Sequence, residues 1–461
     1  MANTPDTQTI ELYVKQPKVY PRETTGRFSR LRVIAAWVLL GLFYVLPWIN
    51  WGGQQVVLFD LPGRQFHFFG ITLWPQDLFI LSLLLAMAAL TLFFFTALAG
   101  RLWCGFACPQ TVWTEVFLWM ERVTEGKRNQ RIKLDKAPWT RDKILRKSSK
   151  QFLWITFALW TGFTFVGFFV PIRDLGPRVL SFDLGGWETF WMFFYGFATY
   201  GNAGYMREQV CKYMCPYARF QSAMFDADSL VISYDAERGE PRGGRSKNAD
   251  YRAAGLGDCV DCTACVQVCP TGIDIRDGLQ IECIACAACI DVCDEVMDRM
   301  NYPRGLIRYT TDNAVNQQPT RVLRPRIFIY LAALALLATV IGVFLTGRDP
   351  LIADVLRDRS ALYRLVDTEL ENSYSLKLTN RTDQTLELAV SAEGLPGIRV
   401  VEPNRDVRVA PGQTADLPLT VALPLTAADP GMQPMTILIR DADNERSTRV
   451  ETRFFIPANP D

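Results

Sequence analysis

Eight cysteines in two runs constrain this chain more than any other feature. The first run is Cys259-x-x-Cys262-x-x-Cys265-x-x-x-Cys269-Pro270, and the second is Cys283-x-x-Cys286-x-x-Cys289-x-x-x-Cys293. Three thiolates at this spacing close round one small inorganic core, and a cubane needs a fourth. In a doubled run the fourth comes from the other copy, so the two halves lock together. The spacing therefore predicts two [4Fe–4S] clusters. Cys259, Cys262, Cys265 and Cys293 are expected to hold one, and Cys283, Cys286, Cys289 and Cys269 the other. A pair of zinc sites is the competing reading, but zinc knuckles rarely show eight cysteines in this doubled spacing. Asp294 stands where a helix-stopping proline would close the second run, so a helix is expected over Asp291–Met300. Ile273, Ile275, Ile281, Ile284 and Ile290 are expected to fill the small core around the clusters and limit water.

The remaining counts narrow the chemistry. All twelve cysteines lie between Cys104 and Cys293, and the only histidine is His67. One imidazole is too few for a bis-His haem, a His-rich copper site or a Rieske centre. The formal net charge of +1 is uninformative, because basic and acidic residues are unevenly distributed. A length of 461 residues allows about three domains.

Five apolar segments approach the roughly 20 residues needed to cross a bilayer. They are expected at about Val33–Trp51, Leu78–Ala99, Phe152–Pro171, Trp187–Met206 and Ile327–Leu345. Lys and Arg crowd the stretches before the first and fifth segments and the stretch 101–150, whereas 52–76 holds only Arg64. By the positive-inside rule the N-terminus and the cysteine-rich region face the cytoplasm and the C-terminus faces out. The polar residues 1–30 lack the features of a cleaved signal peptide. From about Ser373 the pattern alternates with period two, as in Tyr374-Ser-Leu-Lys-Leu-Thr and Thr436-Ile-Leu-Ile. Turn signals at Asn380-Arg-Thr-Asp and Pro411-Gly separate these segments, which suggests an immunoglobulin-like β-sandwich with a docking or stabilising role.

The first two apolar segments end at Cys104-Gly-Phe-Ala-Cys108-Pro109, and the next two at Cys211-Lys-Tyr-Met-Cys215-Pro216. Two hairpins of equal orientation are expected to bring both CxxxCP motifs to the cytoplasmic surface, where the two could face each other. Pro109 and Pro216 suit the first turn of a helix, and thiols at such a position are expected to have lowered pKa. If locally helical, residues i and i+4 share one face. Thiolates without imidazole select Cu(I), Zn or an Fe–S centre, with Met206 and Met214 available as thioethers. Buried thiols packing as small hydrophobes are the alternative. His67 is expected to be an interfacial residue rather than a ligand, and Trp48, Trp51, Trp74, Trp154 and Trp187 to form an interfacial belt. The basic run 127–150 is expected to face anionic headgroups and not nucleic acid. No Rossmann or Walker motif occurs, and Gly243-Gly-Arg is too little for a phosphate loop.

Two hairpins each ending in CxxxCP, the segment Glu237-Arg-Gly-Glu-Pro-Arg-Gly-Gly, the doubled cysteine run, one more span and a β-rich tail together resemble the cytochrome c oxidase accessory protein family called CcoG, FixG or RdxA. The resemblance covers nearly the whole chain. It implies a bacterial inner-membrane protein that acts with cbb3-type oxidase assembly factors and reduces Cu(II) to Cu(I) for the oxidase copper centre. On that view Cys104, Cys108, Cys211 and Cys215 handle copper, or hold a third metal centre, while the eight ferredoxin-type cysteines relay electrons from a donor the sequence does not name. A non-catalytic conduit from a quinol or cytoplasmic donor to a separate reductase is the rival reading.

The expected fold is a multidomain α+β membrane protein. It has a tail (1–30), a four-helix region with both CxxxCP motifs (31–225), an inserted 2[4Fe–4S] ferredoxin-like domain (226–320), a fifth span (326–347) and an immunoglobulin-like β-sandwich (350–461).

Overall fold

The computed structural model describes residues 18–461 except 75–76, 248, 348, 359–361, 367, 383, 404–405, 426–428, 442–446 and 459–461 and the side chain of residue 222. Residues 1–17 of the expected tail, and Asp383 of one expected turn, lie outside this set. Residues 1–341 and 342–461 form two separate compact units.

Among the described residues, three helices are long and apolar enough to cross a membrane: Arg27–Trp48, Leu78–Ala99 and Pro325–Thr346. They match the first, second and fifth expected segments. The first starts earlier than its hydropathy suggests because another element caps it. Asp291 accepts hydrogen bonds from the backbone N–H of Phe28 (3.2 Å) and Ser29 (2.7 Å), satisfying amides that a helix start leaves unpaired. A Cβ on Gly26 would lie 2.2 Å from the Asp291 Cγ, so only glycine allows that approach.

The other two segments depart from expectation. Phe152–Pro171 falls largely inside a longer helix, Arg141–Val166, whose first turns carry Lys143, Lys147 and Lys150. Trp187–Met206 is an α-helix only over Gly186–Thr199 and then widens into a π-helix over Tyr200–Met206. The two helices meet through small residues, with Gly162 against the Met192 carbonyl and Gly196 against that of Ala158.

The stretch expected as an outer loop contains a three-stranded antiparallel sheet, Val57–Asp60, Gln65–Phe68 and Ile71–Leu73. His67 is buried within it, 2.9 Å from the Thr72 hydroxyl through Nδ1, and burial lowers its pKa. Trp48, Trp51 and Trp187 are exposed as a belt requires, but Trp74 and Trp154 are not. Trp154 is a core residue. It stacks on Phe117 and takes the Lys150 ammonium over its ring at 4.7 Å.

The cysteine-rich region has an internal two-fold pattern. Each CxxCxxC turn leads into a helix, Ala264–Val268 after the first and Ala288–Met300 after the second. The second helix contains the stretch Asp291–Met300 expected to be helical. Val231–Tyr234 pairs antiparallel with Ile307–Thr310 and covers one side. Ile273, Ile275, Ile284 and Ile290 are buried, but Ile281 is 59% exposed. Its backbone carbonyl is held by Arg101, which leaves the side chain on a cavity rim instead of in the core.

The unit 342–461 is an antiparallel sandwich. One sheet runs Arg399–Glu402, Thr414–Pro424, Glu369–Asn380, Leu351–Arg357, with Arg364–Val366 also on Glu369–Asn380. The other runs Val407–Val409, Leu386–Glu393, Gly431–Asp441, Ser447–Ile456. Alternate residues point inward, as the period of two requires, so Leu376, Leu378, Leu388, Leu419, Val421, Ile437 and Phe454 form a dry core.

Candidate metal centre

Two cavities divide the eight cysteines. One, of about 350 Å³, is lined by Cys259, Cys262, Cys265 and Cys293. The other, of about 340 Å³, is lined by Cys269, Cys283, Cys286 and Cys289, with Cys265 on the wall it shares with the first. Each draws its fourth cysteine from the opposite run.

The backbone fits the same group. In the first run Asp261 and Thr263 have φ of 49° and 54°, and in the second Ala285 and Ala287 have 52° and 60°. Left-handed non-glycine residues are uncommon, and here they recur at matching positions of both turns. Alternating left- and right-handed residues turn successive N–H groups inward and make a concavity that attracts anionic sulfur. Among the described residues, no three His, Cys, Asp or Glu side chains close on a point where one ion would sit.

Around these turns the packing is dry and the polar groups are tied. Arg245 donates to the carbonyls of Gly257 (2.7 Å) and Cys259 (3.3 Å) and lies over the rings of Tyr251 and Tyr302. Arg276 donates to Asp261 at 2.6 Å, bracing the first turn. Burial pushes the metal-free thiols up: Cys283 and Cys293 to about 12, Cys265 to about 11. Loading metal into such thiols must therefore release protons.

The CxxxCP motifs sit against the second run. Cys104 and Cys211 pack on the core formed by Ala264, Ile284, Cys286 and Val292. Gly105 is pressed on backbone: a Cβ there would lie 2.8 Å from the Ile284 carbonyl and 2.9 Å from the Cys286 Cα. The thiols of the two motifs are close enough to interact: Cys108, Cys211 and Cys215 add to the effect of burial in raising the pKa of Cys104, and Cys108 and Cys215 do the same for Cys211.

Two expectations about these motifs need correction. Cys104 lies in a short helix, Leu102–Phe106, but Cys108 is the extended residue that caps the next one, Pro109–Glu125. Likewise Cys211 lies in a π-turn, Val210–Met214, and Cys215 caps Pro216–Met224. The two cysteines of a motif therefore do not share one helical face, because the proline forces the preceding residue out of the helix. Nor are the resolved pKa values lowered. Burial pushes Cys104 up to about 12 and Cys211 to about 11, and raises Cys108 despite hydrogen bonds from Thr111 and Gln110.

Several residues of this site carry no sequence signal of their own. Arg101 is buried (4% exposed) and donates to the carbonyls of Ile281, Cys283 and Ala218, stitching the second cysteine turn to the helix after the second CxxxCP. Cys104 Sγ donates to Gln221 Oε1 at 3.1 Å, and the Thr111 hydroxyl donates to the Cys104 carbonyl at 2.6 Å.

Residues 206–312 match a family model described as a 4Fe-4S dicluster domain, residues 80–129 one described as a 4Fe-4S binding domain, and residues 341–457 one described as an IG-like fold at the C-terminus of FixG. The nitrogen fixation protein FixG of Rhizobium meliloti is 37% identical over 97% of this chain and 94% of its own length. The chain belongs to the FixG/RdxA family. Protein RdxB of Cereibacter sphaeroides is 40% identical over 87% of this chain and 89% of its own, and protein RdxA of the same organism 38% over 93% of each. A solved structure, titled a FixG-related protein from Vibrio parahaemolyticus, is 30% identical, covers 24% of this chain and 98% of its own, and has a TM-score of 0.22. This FixG/RdxA family member carries two [4Fe–4S] clusters and is an iron–sulfur redox protein with membrane helices. Both CxxxCP motifs fall inside matched iron–sulfur regions.

Proposed function

We propose that this protein is a membrane-bound cupric reductase that supplies Cu(I) during maturation of a cbb3-type cytochrome oxidase. In this reading five helices span the bacterial inner membrane, the N-terminus and iron–sulfur domain face the cytoplasm, and the sandwich stands in the periplasm. Cys259, Cys262, Cys265 and Cys293 ligate one cluster and Cys269, Cys283, Cys286 and Cys289 the other. Cys104, Cys108, Cys211 and Cys215 receive copper, the substrate.

The observation that carries the reading is the seat of Cys104 and Cys211 against the Ile284–Cys286 turn. A bound cubane supplies one electron at a time. The thiols beside it are soft donors that hold Cu(I) better than Cu(II), so the ligand set itself favours the reduced product. Arg101 favours the thiolate forms of Cys104 and Cys211, offsetting part of the cost of burial.

The test uses anaerobically purified full-length protein. Cys108→Ser with Cys215→Ser is expected to abolish Cu(II) reduction while iron stays at about eight per chain. Unchanged reduction would sink the proposal.

The raised pKa of Cys104 and Cys211, which keeps both thiols protonated in the absence of metal, favours a second reading, a non-catalytic conduit that passes electrons to another reductase. Titration with Cu(I) against a strong chelator separates the two, since a conduit has no competitive copper site.

A further inference from the structure

One cavity takes no part in the relay described above. It measures about 330 Å³, at the lower end of the range of small-molecule sites. Ala223, Phe225 and Leu279 provide apolar walls, and Arg101, Gln280 and Cys283 line it as well.

Three features define what fits. The cavity borders the membrane, because Arg101 follows directly on the Leu78–Ala99 span and Gly100, and Leu279 and Ile281 at its rim are large, apolar and exposed. It borders a redox centre, because Cys283 belongs to the second cysteine set. It is lined by one basic side chain, Arg101, whose terminal nitrogens are engaged by backbone carbonyls and whose buried Nε has no hydrogen-bond partner. Arg101 is the only basic residue among those lining the cavity, too little for a nucleotide with its phosphates. The set calls for an apolar molecule with a ring oxygen that arrives from the lipid and carries electrons.

We propose that this cavity binds a membrane quinol, the electron donor of the protein. This rests on the reading that Cys283 ligates a cluster, and it deepens the proposed function by naming the donor class. The quinol loses two electrons and two protons and leaves as the quinone. One electron goes to each of the two oxidised [4Fe–4S] clusters, and the protons go to water at the cytoplasmic surface. A two-electron donor thus matches two one-electron acceptors without a further co-reactant.

The experiment needs no copper, so its result is independent of the cupric-reductase reading. Full-length protein in lipid nanodiscs, loaded with iron and oxidised, is mixed with menadiol, and bleaching of the iron–sulfur absorption is followed. An azido-naphthoquinone is photolinked to the same sample and mapped by mass spectrometry. Ala223→Trp fills the cavity from an exposed position, and Ala223→Ser leaves its volume nearly unchanged. The expected results are labelling of the 223–231 and 279–285 segments and a loss of about tenfold in quinone affinity in Ala223→Trp only. Bleaching by dithionite in every sample shows that the clusters are loaded. Labelling elsewhere, equal affinity in Ala223→Trp, or a cavity that holds only phospholipid and excludes the quinone would overturn the proposal.

Discussion

Gly105 shows how much can depend on the absence of one atom. It lies between the two cysteines of the first CxxxCP motif, and everything its missing Cβ would strike is backbone of the second cysteine turn. Backbone cannot rotate away as a long side chain can, so Gly105→Ala must push the two loops apart. Overpacking of this kind costs about 1–3 kcal/mol. The variant is expected to melt earlier in a thermal scan, keep its iron, and show slower reoxidation of dithionite-reduced clusters by Cu(II). An unaltered melt together with an unaltered rate would mean that the two loops do not touch in solution. Asp291 acts at the same scale. It sits between Cys289 and Cys293, yet its carboxylate caps a helix that begins at Arg27. The cysteine spacing was legible because it is covalent and local. This cap joins residues more than 260 positions apart and left no mark in the sequence.

At the scale of elements, the helices Pro109–Glu125, Arg128–Lys136 and Arg141–Val166 are held by a buried ionic knot. Glu121, 1% exposed, pairs with Arg131 and Arg207, each at 2.7 Å. Glu125 pairs with Lys147 at 3.0 Å and Lys150 at 2.9 Å. This is why a stretch read as a basic run for headgroups is partly internal, and why a helix expected to start near Phe152 starts at Arg141. Hydropathy counts charges and cannot tell a paired, buried lysine from a solvated one. The knot has a pH signature. Burial alone would raise the Glu121 pKa, but Arg207, Arg131 and Lys150 outweigh it and hold the carboxyl below its ordinary value. A group with a depressed folded pKa contributes stability above its unfolded value, about 4.3 for Glu, and that stability is lost as pH falls through the folded value. The unfolding temperature is expected to drop as pH goes from about 5 towards 3. Glu121→Gln should flatten that limb and also destabilise at neutral pH by roughly 3–5 kcal/mol, since it strands buried cations. A parallel acid limb in the variant would assign the effect to other carboxylates. The π-turns over Tyr200–Met206 and Val210–Met214 were equally invisible in sequence, because Gly201 and Gly204 read as ordinary close-packing glycines.

At the scale of the molecule, the order of parts was readable and the number of continuous spans was not. Among the described residues three helices satisfy the length and apolarity of a crossing, while the two remaining segments are shortened by a π-turn or begin in charge. The proposed sidedness makes a direct prediction. Protease added to spheroplasts is expected to remove the sandwich that begins at Leu351 and spare the cysteine-rich region, and lysis should expose both. Protection of the sandwich in intact spheroplasts would reverse the orientation. The sandwich was legible for a simple reason: a period of two with no cysteine leaves few other folds, and Leu376, Leu388 and Ile437 fall on the inner faces that alternation assigns them.

The exchange of fourth cysteines between the two runs bears on biogenesis. Neither half of the domain can finish without the other, so a ribosome that has released Cys269 has not yet delivered a complete set of donors for either cavity; one set is completed at Cys289 and the other only at Cys293. Neither set of donors can close round iron while only the first run has been made, and by then the first two membrane helices have already been synthesised.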